Sequence, residues 1–229
     1  MEPEPVKVVL LGETGVGKTC IINQFIDNKF DQNVLSSLNA QFVTKTIEYI
    51  DFGKAIKFDI WDTVGQERFR SMAKIFYKDA RVIIFVYDIT SLKTFEALQN
   101  FWYNEIKNNC NETPVIALVG NKTDLYAEQK VEPSVAREFA DKIGAIFQLT
   151  SAKKNEGIPN LFDNIGKKYL QPDYKYDAKD KLAREKYDKR KEGEKSTKIR
   201  IKLGNNNNNN DNEDDKIEGN NKEKGKKCC

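Results

Sequence analysis

The sequence predicts an α/β fold: a six-stranded, mostly parallel sheet with one antiparallel strand, helices on both faces, and a charged tail after it. Three observations carry this. Short apolar runs alternate with longer amphipathic stretches up to about residue 170, as strands alternating with crossover helices require. Two of the runs are apolar throughout, as strands covered on both faces must be. One pair alternates apolar and polar residues about a tight turn, as an antiparallel hairpin does.

Val6-Lys7-Val8-Val9-Leu10-Leu11 reads as the first strand, and Thr19 to Phe25 as the opening of a helix. Phe42 to Phe52 and Ile56 to Trp61 flank Asp51-Phe52-Gly53-Lys54 and form the hairpin. Val82 to Tyr87 and Val115 to Val119 are the fully apolar runs, and Ala145 to Leu149 is the last strand. Helices are expected over Ser91 to Asn109, Val135 to Ile143 and Ile158 to Tyr169. The domain is placed at 1–172. Beyond it, 173–229 is dense in charge, contains the homopolymer Asn205 to Asn210, and cannot bury a core; disorder is expected there.

Composition narrows the chemistry. Histidine is absent from the 229 residues, which excludes imidazole bases, Ser-His triads and imidazole-ligated metals. Lys+Arg 38 against Asp+Glu 35 is too balanced to demand a nucleic-acid partner. The four cysteines, Cys20, Cys110, Cys228 and Cys229, form no spaced framework, so a reducing cytosolic setting is expected. The acidic, Pro-containing start lacks the character of a signal peptide, and no apolar run approaches the roughly 20 residues that span a bilayer.

Gly12-Glu13-Thr14-Gly15-Val16-Gly17-Lys18-Thr19 fits the phosphate-loop pattern G-x-x-x-x-G-K-[ST] between an expected strand and an expected helix. Its glycines let backbone N–H groups converge on phosphate oxygens, and the helix N-terminus adds positive potential. Lys18 then reaches the β- and γ-phosphates and the Thr19 hydroxyl ligates Mg²⁺. A glycine-rich turn without a ligand is the plain alternative; the strand–loop–helix setting weighs against it. Asp62-Thr63-Val64-Gly65-Gln66-Glu67 follows a strand, where Asp62 can hold Mg²⁺ through water, Gly65 can present its N–H to a γ-phosphate, and Gln66 can orient an attacking water. Taken alone, that hexapeptide also reads as a polar surface turn.

Asn121-Lys122-Thr123-Asp124 and Ser151-Ala152-Lys153 follow the fifth and sixth runs. A fixed carboxylate at Asp124 accepts from both N1–H and the N2 amine of guanine. Adenine offers neither donor and would leave the carboxylate desolvated and unmet, which disfavours an ATPase or kinase. The Ala152 N–H can donate to guanine O6, and the Lys122 stem and the Phe30 ring can sandwich the base.

On these motifs the chain resembles a Ras-superfamily small GTPase, specifically the Rab family, over roughly residues 5 to 170. Further resemblance lies in Phe58 to Trp61, Arg68 to Met72, Phe76 to Ala80 and Val86 to Thr90. Ser37 to Phe42 resembles the endosomal branch. The resemblance implies GTP and GDP as ligands with Mg²⁺, nucleotide contacts reaching Cys20, and Ser37 joining Thr19 and Asp62 around the metal, with Ser36 as a competitor for that role. It implies an effector region of Val34, Leu35, Ser36, Ser37, Leu38, Asn39, Ala40, Gln41 and Phe42. It implies effectors, an exchange factor, a GTPase-activating protein and a GDP-dissociation inhibitor or escort protein as partners. It implies geranylgeranyl groups on Cys228 and Cys229, close to Lys222, Lys224, Lys226 and Lys227, on the cytoplasmic face of a membrane, with a cytosolic form when extracted.

Two departures stand out. The family pattern Thr-Ile-Gly is replaced by Ser37-Leu38-Asn39, and the alanine of Asp-Thr-Ala-Gly-Gln by the stiffer, bulkier Val64. They leave two readings: a hydrolysing switch, or a nucleotide-loaded scaffold that barely hydrolyses.

Overall fold

The computed structural model describes residues 2–31, 41–63, 73–110 and 113–175. The first-switch positions Val34 to Ala40, the positions Val64, Gly65 and Gln66, and the tail with Cys228 and Cys229 lie outside the described residues, as does the Gln41 side chain.

The chain alternates β1 (Glu4–Leu11), α1 (Lys18–Asp27), β2 (Gln41–Tyr49), β3 (Lys54–Asp62), α2 (Ala73–Tyr77) and β4 (Val82–Asp88). Then come α3 (Leu92–Ala97), a π-helical turn (Leu98–Trp102), α4 (Tyr103–Asn109), β5 (Val115–Asn121), α5 (Pro133–Lys142), β6 (Ile146–Leu149) and α6 (Ile158–Leu170). One six-stranded sheet runs in the order β2-β3-β1-β4-β5-β6, antiparallel only between β2 and β3. This is the expected architecture.

Pleating divides the core in two, because successive strand side chains point to opposite faces. Val6, Val8 and Leu10 of β1 pack with Ile21, Ile22 and Phe25 of α1 and Leu161, Phe162 and Ile165 of α6. Val9 and Leu11 pack on the other face with Phe95, Leu98, Trp102 and Ile106 of the α3–α4 helix and Phe139 of α5. All seven residues of β4 are buried, which explains its unbroken apolar run. Each such side chain contributes about 1.5–3 kcal/mol by leaving water.

The sheet order places the connections after β1 on opposite sides. The chain leaves β1 through α1 toward β2 and β3, then returns to β4 on β1's other flank. Ligands of open α/β sheets bind at the carboxyl ends of strands at such a switch point. The loop 12–17 leaves β1 there, and the ends of β3, β4 and β5 carry Asp62, Asp88 and Asn121.

The second strand stops earlier than its pattern suggests. Ile50–Phe52 forms a 3-10 turn closed by Gly53 at φ 58, with Ile50 86% exposed. The helix expected from Ser91 to Asn109 is continuous but carries the π turn in its middle. The sequence reading had no counterpart for α2 or for the 3-10 segment Thr123–Glu128.

Candidate functional site

The phosphate loop closes against the sheet because two positions lack a side chain. A Cβ on Gly12 would lie 2.2 Å from the Val86 carbonyl oxygen, and one on Gly17 would lie 2.4 Å from Asn121 Nδ2. Gly17 also sits at φ 94, where L-residues are strained, and serves as the N-cap of α1 with no side chain capping that turn. The first-turn amides of α1 thus keep the positive potential that favours an anion.

Lys18 is 6% exposed, and its ammonium donates to the carbonyls of Gly12 at 2.9 Å and Glu13 at 3.1 Å. Burial pushes its pKa down to about 8, while the carboxylates of Asp62 and Glu13 work in the opposite direction. A buried, donor-rich cation inside a glycine loop is suited to phosphate oxygens. Val16 is buried against the sheet, Cys20 is half-buried in α1, and Thr14 and Gly15 are exposed at the loop's crest.

The Thr19 hydroxyl donates to Asp62 Oδ2 at 2.5 Å, and Asp62 is 1% exposed. A hydroxyl and a carboxylate so close form two hard oxygen donors of the kind Mg²⁺ selects, so these residues fit the ion expected there. The third expected ligand, Ser37, lies outside the described residues.

Asn121, 2% exposed, joins three segments. Its Nδ2 donates to the Val16 carbonyl at 2.9 Å, while its Oδ1 accepts from Thr150 Oγ1 at 3.1 Å and from the Ala152 N–H at 3.3 Å. One side chain therefore fixes the phosphate loop against the β6–α6 loop. The Ala152 N–H expected to serve a base oxygen points into this network. Ser151 Oγ donates to Asp124 Oδ1 at 2.6 Å and orients that carboxylate, and the same Oγ accepts from the Lys154 N–H at 3.1 Å. Lys122 adopts φ 70 and its ammonium pairs with Asp88 Oδ2 at 2.7 Å, so its head is anchored and its aliphatic stem is left to cover a flat ligand. Asp88 in turn accepts from the N–H and hydroxyl of Thr90. Phe30 follows α1 and is 36% exposed, while Lys153 is exposed.

The structure thus brings together Gly12 to Thr19, Asp62, Asn121, Lys122, Asp124, Ser151 and Ala152. Two contributors were not read from the sequence: Asp88, which anchors Lys122, and Trp102, whose Nε1 donates to Glu13 Oε1 at 3.1 Å. A further feature is a patch of rings. Phe42, 51% exposed, stands 5.0 Å from Trp61 across the β2–β3 ladder, and Trp61 stands 6.4 Å from Phe76. The Lys7 ammonium lies 5.3 Å from the centre of the Trp61 ring. Strand pairing of Phe42 with Trp61 was the signal that could have located this patch.

A phosphate loop at the switch point of an open parallel sheet, with a buried lysine, a Thr–Asp oxygen pair and an oriented carboxylate beyond, defines a P-loop nucleotide-binding protein. The profile of the Ras family matches residues 7–171. The chain is 42% identical over 167 residues to the Ras-related protein Rab-22A of Homo sapiens, a match covering 73% of this chain and 84% of that one. It is 43% identical over 162 residues to Rab-31 of Homo sapiens, covering 70% and 81%. With RabJ of Dictyostelium discoideum it shares 43% identity over 164 residues, which is 72% of this chain and 63% of RabJ. The chain belongs to the Ras family, as a small GTPase of the Rab kind. Among the described residues no helix is long and apolar enough to cross a membrane.

Proposed function

We propose that this protein is a GTP/GDP-regulated switch in vesicle trafficking, anchored by lipid to the cytoplasmic face of a membrane and cytosolic when extracted. The observation that supports the nucleotide part is the Asn121 bridge, which ties the phosphate loop to the loop of Ser151 and Ala152, where Ser151 bonds the Asp124 carboxylate. Phosphates would lie on the Gly12 to Thr19 loop and the α1 amides, and guanine on Asp124, with Ala152 and the Lys122 stem beside it.

Thr19, Asp62 and Ser37 would hold Mg²⁺, which neutralises charge on the β- and γ-phosphates when bound. Lys18 donates to the same oxygens, Gly65 offers its N–H to the γ-phosphate, and Gln66 orients the attacking water. Positioning and charge stabilisation are all the chemistry needs, and unaided turnover on the order of 10⁻⁴ s⁻¹ is typical of such GTPases. No arginine occurs in Gly12 to Thr19, so an activating protein supplies one. GTP would hold the segments around Ser37 and Gly65, and hydrolysis would release them.

The effector surface is read as Val34 to Phe42 together with the ring patch of exposed Phe42 and partly buried Trp61 and Phe76, since apolar and aromatic surface marks docking sites. An exchange factor and a GDP-dissociation inhibitor or escort protein complete the partners. Residues 173–229 serve as a tether ending in geranylgeranylated Cys228 and Cys229.

Single-turnover hydrolysis with purified protein tests the switch. Wild type should convert GTP slowly and Gln66→Leu should convert it at least tenfold more slowly with unchanged GTP affinity. Equal rates in the two proteins at about the usual 10⁻⁴ s⁻¹ would contradict the role of Gln66. Equal rates far below that level would favour the scaffold reading, for which Val64 and Ser37 give the reason.

A further inference from the structure

The α3–α4 helix reaches the phosphate loop through one side chain. Its π turn, Leu98–Trp102, takes in one residue more per turn than an α-helix, and such turns recur at functional positions. The turn ends on Trp102, which is 2% exposed and packed in the apolar cluster of Phe95, Leu98, Ile106 and Phe139. An indole N–H buried in that way needs an acceptor, and it finds Glu13 Oε1 at 3.1 Å. Glu13 is a phosphate-loop residue whose own carbonyl accepts from Lys18 at 3.1 Å. One turn further along the helix, Glu105 Oε1 accepts from the Tyr77 hydroxyl at 2.6 Å, so the same helix also grips the end of α2.

We propose that Trp102 is a positioning residue for the phosphate loop: its indole N–H holds the Glu13 side chain, and with it the peptide that receives Lys18, in the geometry that retains a nucleotide. The proposal rests on the guanine-nucleotide reading above. A bond from a neutral donor to a carboxylate is stronger than one between neutral groups. Without it, the half-buried Glu13 carboxylate loses the donor that ties the phosphate loop to the α3–α4 helix.

The test uses the full chain and the release rate of a fluorescent GDP analogue with excess GDP as competitor. W102F keeps an apolar ring and removes the N–H; E13A removes the acceptor. Each should release the analogue about tenfold faster than wild type, consistent with the usual worth of a hydrogen bond to a charged group. The double variant W102F/E13A should be no faster than either alone, and E13Q, which keeps an acceptor, should release several-fold more slowly than E13A. A packing role for Trp102 predicts additive effects instead, and additivity overturns the proposal. Should W102F fail to fold, E13A and E13Q carry the test, since position 13 lies outside the apolar cores, and equal rates for those two overturn it. Wild type that binds GDP with W102F releasing it at the wild-type rate defeats the tether alone. Wild type that binds no guanine nucleotide defeats the nucleotide reading and the tether with it.

Discussion

Replacing Asn121 by alanine removes a side chain that joins the phosphate loop to the β6–α6 loop. Three hydrogen bonds go: to the Val16 carbonyl at 2.9 Å, from Thr150 Oγ1 at 3.1 Å and from the Ala152 N–H at 3.3 Å. Val16 and Thr150 are both 0% exposed, so their groups meet no water unless the new cavity admits it. Leaving a buried polar group unmet costs about 1–3 kcal/mol, and the third bond is long enough to count for less, so the sum is about 3–5 kcal/mol. That is a large part of the roughly 5–15 kcal/mol by which domains are stable. Two assays separate its components. Urea unfolding without nucleotide should show a loss of about 3 kcal/mol, and GDP release should accelerate about tenfold, because the retained nucleotide depends on both loops together. A stability loss under about 1 kcal/mol, together with GDP release within threefold of wild type, would refute the bridging role.

Gly17→Ala should impair folding and nucleotide binding alike: its Cβ would lie 2.4 Å from Asn121 Nδ2 at a backbone φ of 94, and the same substitution at Gly53, whose Cβ meets nothing within 4 Å, should cost far less. Comparison of the two unfolding midpoints checks this, and equal losses would contradict it. Serine at both Cys228 and Cys229 should release the protein from membranes in fractionation while leaving GTP affinity intact. A lipid contributes about 0.8 kcal/mol per buried methylene against about 1 kcal/mol for each nearby lysine, so persistent membrane association would refute a lipid anchor.

Much of the fold was legible because burial writes itself into spacing. β4 carries no polar residue before Asp88, and β3 alternates strictly, since one is covered on both faces and the other pairs with an edge strand. Turn geometry was less legible. Ile50 and Phe52 extend the apolar alternation of β2, yet the chain there turns in a 3-10 coil because Gly53 permits a left-handed residue. The π turn leaves no mark on the sequence pattern because Leu98, Trp102 and Ile106 keep a helix-like recurrence on the core side. At the site, residues with fixed spacing inside a motif were legible: Lys18, Thr19, Asp62, Asn121 and Asp124. Partners drawn from other motifs were not. Asp88 lies 34 positions before Lys122, and Trp102 lies 89 positions from Glu13, so only the folded sheet brings each pair together.

The central claim is that Asp124, held by Ser151 at 2.6 Å, selects guanine. Dissociation constants of wild type and Asp124→Asn for GDP and for xanthosine diphosphate test it most directly. A carboxylate accepts from guanine N1–H and the N2 amine, whereas an amide at that position can donate to the C2 oxygen of xanthine. The account predicts that Asp124→Asn loses GDP affinity by at least a hundredfold and gains affinity for xanthosine diphosphate, reversing the order of preference. Unchanged GDP affinity in the variant, with no gain for xanthosine diphosphate, would contradict it.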